Sequence, residues 1–158
     1  MVLLATGCGS LNAPNHPADL PLRYHNAQYD FTFFLPADWR GYSVLVQQWE
    51  GSISSDTADK ATVPEHGPAL VFRHPQWNSS APRQDIPILV FTRSQWDADK
   101  QGKFFYGAGG IETEVAHNAK HVFAVHSRFN WGELKGWEEA GKIVERNGAA
   151  NEPHLYPE

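Results

Sequence analysis

His74, Trp77, Arg83 and Asp85 bring an imidazole, an indole, a guanidinium and a carboxylate into one short stretch of the 158-residue chain. Trp exposed beside Arg is a recurring contact surface for planar or carboxylate-bearing partners. Arg73 and His74 end the apolar run "GPALVFRH", with Trp77 just beyond it, while Arg83 and Asp85 lead into a second run, "DIPILVFTR". If the two runs are antiparallel neighbours, these side chains gather at one edge of a sheet. Loops held at both ends by rigid sheet carry binding more often than frameworks do. The competing reading is structural: Arg83 and Asp85 brace the loop, and the Trp rings cap the core.

The other chemically capable residues point to less. His117 and His121 have the four-residue spacing that sets two ligands on one helical face. Here they flank a turn between strands, His126 continues the second strand, and no third ligand stands in a known metal-site spacing. Solvated turn histidines are expected, with no metal and no cofactor. The "GAGG" run at 107–110 lacks the helix that a dinucleotide loop needs after it, because "IETEV" prefers a strand. Glu112 and Glu114 share one face of that strand and read as a solvated face, not as an acid–base pair. No G-x-S-x-G stands in the sequence, so no catalytic residue is assigned.

Strands dominate the elements that must position these residues. "LRYHNAQYDFTFFLP" reads as a strand, a turn near His25 and Asn26, and a second strand that alternates Phe31, Phe33 and Leu35 inward. "ADWRG" is a brief helical turn or loop and "YSVLVQQWEG" the next strand. Residues 53–65 read as a polar hairpin tip. The runs around Val71 and Val90 are apolar on both faces, as central strands covered on each side are. "SQWDADKQG" forms one or two helical turns, with Ser94 as cap and Asp97 three residues on. "IETEVAHN" and "KHVFAVHSRF" form a hairpin turning at Asn118 and Ala119. Last comes an amphipathic helix capped by Asn130, with Leu134, Trp137, Gly141 and Val144 on one stripe and a stop at Asn147 and Gly148.

Composition narrows the function classes. Hydrophobic residues make up 41% and charged residues 20%, which is ordinary for a globular domain. The net charge of −5 lacks the basic footprint of a nucleic-acid binder. A single cysteine excludes an intrachain disulfide. That residue, Cys8, closes "LLATGC", which resembles a bacterial lipobox, and residues 9–21 read as a Pro-rich tether. The resemblance implies a diacylglyceryl anchor on Cys8 and residence in the bacterial cell envelope. If the host is Gram-negative, Gly9 is compatible with the periplasmic face of the outer membrane. The expected organisation is a signal remnant at 1–8, a tether at 9–21, one domain at 22–148 and a tail at 149–158.

"YHNAQYDFTFFLPADWRGYSV", residues 24–42, resembles the opening of the PsbP-like superfamily, which includes bacterial lipoproteins of the DcrB type. The resemblance implies an α+β fold: an antiparallel sheet with flanking helices, an α/β/α sandwich ending in the amphipathic helix. It also implies a binding role, because these families share no catalytic residues. The leading expectation is a lipid-anchored binding or accessory module with a protein or small-molecule partner and no nucleic acid. Two alternatives stand beside it: an envelope hydrolase or metal-dependent enzyme using His117, His121 and His126, and a cytoplasmic secretion chaperone of similar fold.

Overall fold

The computed structural model describes residues 20–54, 62–106, 112–126, 132, 134–145 and 155–158. Cys8, most of the tether, the "GAGG" run, Asn130, Asn147 and Gly148 lie outside the described residues. In chain order the elements are β1 (Leu22–Asn26), β2 (Phe31–Leu35), a 3-10 turn (Ala37–Trp39), β3 (Ser43–Ser54), β4 (Thr62–Arg73) and β5 (Ile86–Thr92). Then come α1 (Arg93–Lys100), β6 (Phe104–Tyr106), β7 (Glu112–His117), β8 (His121–His126), α2 (Trp137–Val144) and β9 (Leu155–Pro157). The class is α+β, built on antiparallel sheet.

Two sheets form. The larger has six strands in the order β6-β3-β4-β5-β8-β7, and the smaller has three in the order β1-β2-β9. All strand pairs in both are antiparallel. Strands β4 and β5 lie in the middle, which explains why they are apolar on both faces. On one face Leu70, Phe72, Ile86, Ile88 and Val90 pack with Phe31, Phe33 and Leu35 of β2, Leu155 of β9 and Ile143 of α2. Phe33 is fully buried, its ring 4.8 Å from that of Phe72. On the other face Ala69, Leu89 and Phe91 pack with Trp49, Phe104 and Trp96 of α1. Trp49 stacks on Phe91 at 4.6 Å, and its indole N–H donates to the Val90 carbonyl at 2.9 Å. Burying one large apolar side chain contributes roughly 1.5–3 kcal/mol, so two aromatic clusters back to back give the larger sheet its stability.

Several local expectations change. Residues 155–157 form β9 instead of a tail, because Leu155 fills a core position at 0% exposure beside Phe33. α2 is therefore followed by a strand. It begins only at Trp137, behind Gly136 in a left-handed conformation, and buries Ala140, Gly141, Ile143 and Val144. Leu134 and Trp137 stay 37% and 39% exposed, so the expected apolar stripe is half right. Strands β3 and β4 run on into the expected tip, as far as Ser54 opposite Thr62, because backbone pairing does not need apolar side chains. The cap of α1 is Thr92, not Ser94. Its hydroxyl accepts from the Gln95 N–H, and the Gln95 side chain accepts from the Thr92 N–H. Among the described residues, no helix is long and apolar enough to cross a membrane.

Candidate functional site

β4 and β5 are antiparallel neighbours, with Phe72 opposite Ile86, so the connection at 74–85 leaves and re-enters one end of the larger sheet. A turn pins its middle: the Asn78 side chain accepts from the N–H groups of Ser80 and Ala81. The four residues singled out in the sequence do gather here, but their roles divide. His74 is buried, at 4% exposure. Its ring meets Trp39 edge-on at 5.0 Å, and its Nδ1 accepts from the Gln76 N–H at 3.1 Å. Burial first, and the neighbouring Arg83 charge second, hold His74 below the usual imidazole range against the pull of Glu139 and Asp38. Burial thus favours the neutral ring.

Trp77 is half-buried. The Arg73 guanidinium lies 3.9 Å from the centre of its ring, a cation–π contact. Arg73 also grips Asp85 with two nitrogens, at 2.7 to 3.2 Å. That hydrogen bonding raises the Arg73 pKa further. Arg83 does not pair with Asp85. It donates to Glu139 at 2.9 Å and to Gln76 at 3.1 Å. Glu139 accepts on its other oxygen from the Trp39 indole at 2.6 Å. Asp85 and Arg83 thus brace the two stems of the connection, as the structural reading supposed, while Trp77 stays half-buried under the Arg73 guanidinium.

Beside this network opens a cavity of about 430 Å³, lined by Pro36, Asp38, Glu138, Glu139, Lys142 and Ile143. Its wall carries three carboxylates against one ammonium. A His74 nitrogen and one oxygen each of Asp38 and Glu139 lie within 4.8 Å of one another. The donor set nevertheless fits a metal badly. Both Glu139 oxygens are taken, His74 Nδ1 is taken, and the Arg83 cation already neutralises Glu139. Asp38, Trp39 and Glu139 were missed in the sequence. Trp39 and Glu139 stand 100 residues apart, and no local spacing signals their contact.

The histidines of the outer hairpin do not converge. His117 lies beside the turn and contacts Glu114, and His121 meets the Tyr29 ring edge-on at 5.5 Å. His126 lies at the far end, opposite Glu112. There one expectation is overturned: Glu112 is not solvated but only 5% exposed, because its strand face continues beneath α1 and Tyr106. Its Oε1 is 3.8 Å from His126 Nδ1 and has no hydrogen-bond partner. Desolvation pushes the carboxyl up to about 7, and burial pushes His126 down.

Compared with known proteins, the chain matches no family model, no curated protein and no solved structure.

Proposed function

We propose that this chain is a binding module, without chemistry of its own, that recognises a partner through the Trp77 connection and the neighbouring acidic cavity. The observation that carries this reading is Trp77: a half-buried indole held by Arg73, on a loop whose stems are fixed by the Arg73–Asp85 and Arg83–Glu139 pairs. A preorganised aromatic contact loses little conformational entropy on binding. Both guanidinium groups are engaged by carboxylates of the chain itself, so they favour no carboxylate partner. Asp38 and Glu138 in the cavity wall favour a cationic group, such as the lysine side chain of a polypeptide.

The proposed address is the bacterial cell envelope, through a lipid on Cys8. The lipobox-like "LLATGC" and the Pro-rich stretch after it support this, and the PsbP-like residues 24–42 agree with a binding role. Calorimetric titration with an acetylated lysine-rich peptide tests the site. Heat of binding that Trp77→Ala abolishes, at unchanged melting temperature, supports the reading. Binding that survives Trp77→Ala, or no binding at all, contradicts it.

A further inference from the structure

We propose that β3 is the contact strand of a symmetric dimer, in which two copies of this chain pair edge to edge. β3 is 12 residues long and pairs with β4 throughout, from Ser43 opposite Arg73 to Ser54 opposite Thr62, without a register shift. On its other side β6 covers only Gly51, Ser52 and Ile53. Among the described residues, 43–50 therefore have no strand on their outer side. Such an edge offers a row of unpaired amide and carbonyl groups. Protein edges are commonly guarded by Lys, Pro or a bulge. Residues 43–50, "SVLVQQWE", contain no Lys or Pro, and their ladder to β4 has no bulge. Val46, in the middle of the stretch, is 75% exposed, more than any other large apolar side chain among the described residues.

The occupant this edge fits is itself. In an antiparallel pair, residues that face each other both turn their backbone groups toward, or both away from, the partner strand. Those groups alternate along β3, so a two-fold axis must pass between identical residues. Placed at Val46, the axis sets Val46 against Val46 of the second copy. Val44 then meets Gln48, and Tyr42 meets Glu50, in both directions. Glu50 is the only charged residue in the stretch, and it faces an uncharged ring, so no like charges oppose each other. The ends match too. Gly51, the first β3 residue that β6 covers, falls opposite Gly41 of the second copy. Gly41 has φ +91°, so the extended stretch of the incoming chain ends there.

Sedimentation of the full chain carrying Cys8→Ser tests this, because that change removes the only thiol. A concentration-dependent monomer–dimer equilibrium is expected. Val46→Lys sets ammonium against ammonium at the axis and should weaken the dimer by about tenfold or more. At a concentration where both proteins are monomeric its melting temperature should not change, given the exposure of Val46. In the same background Val46→Cys should oxidise to a covalent dimer, since facing Cα atoms about 4.5–5.5 Å apart allow a disulfide. Gln48→Cys, whose partner is Val44, should not cross-link. A monomer at every concentration, as when the edge is held by another segment or reserved for a different protein, overturns the proposal. So does a dimer that Val46→Lys leaves intact or that Val46→Cys fails to trap.

Discussion

Replacing Glu112 by Gln should stabilise the protein at alkaline pH and do little at acid pH. The carboxyl is 5% exposed, its Oε1 lacks a hydrogen-bond partner, and its pKa is raised from 4.5 to about 7. Below about 4.5 the group is protonated in both the folded and the unfolded chain, so it contributes no difference. Between 4.5 and 7 the unfolded chain releases the proton while the folded chain keeps it, and stability falls as pH rises. Above 7 the full penalty of a buried carboxylate applies. A shift of this size corresponds to about 3 kcal/mol, at 1.36 kcal/mol per pH unit. Gln cannot ionise, so the stability difference between variant and wild type should grow by that order between pH 4.5 and 8. His126 works the other way, because its lowered pKa destabilises the fold as pH drops below about 6.5; it lies 3.8 Å from Glu112, so the same comparison in a His126→Gln background isolates the carboxyl. Urea unfolding at several pH values measures the difference. With urea slopes of about 1–3 kcal/mol per molar, the midpoint of the variant at pH 8 should lie about 1 M or more above wild type. A stability difference that stays flat from pH 4.5 to 8 refutes the burial of Glu112 as described.

Phe33→Ala should destabilise the domain by about 3–5 kcal/mol in chemical denaturation, because Phe33 is fully buried against Phe72; a loss near zero would mean that β2 does not face the larger sheet. Gly67→Ala should also be strongly destabilising, since an added Cβ would stand 2.4 Å from the Trp49 ring. Thermal unfolding reads that out, and an unchanged melting temperature contradicts the packing of Trp49 across β4. Cys8→Ser should move the protein expressed from its full precursor out of the membrane fraction; unchanged fractionation removes the lipid anchor from the account.

What could be read from the sequence was what neighbouring residues decide. Alternation in "FTFFL" placed Phe31, Phe33 and Leu35 inside, and the doubly apolar runs placed β4 and β5 at the centre of the sheet. Asn118 as a turn residue was readable for the same reason: its side chain accepts from the N–H groups two and three residues on. What could not be read depends on distant partners. Glu112 looks like any strand carboxylate until Tyr106 and α1 are laid over it. β6 is three residues long, too short for an alternation signal, and is held by pairing to Gly51–Ile53 rather than by its own pattern. β9 forms because a single Leu155 finds the core. In the candidate site, the nearness of His74, Trp77, Arg83 and Asp85 came from two adjacent strands. Which of them faces outward was decided by Trp39, Asp38 and Glu139, which arrive from far along the chain and draw His74 and Arg83 inward.

Recognition of a cationic partner at Trp77 and the acidic cavity is read out by titrating the isotope-labelled chain and following its amide and indole resonances. A lysine-rich peptide is added first, and a glutamate-rich peptide of equal length is the control. Saturable shifts are expected with the lysine peptide at the Trp77 indole and at Asp38, Glu138 and Lys142 around the cavity, and none with the glutamate peptide. Shifts confined to another face of the molecule, or equal responses to both peptides, would contradict it.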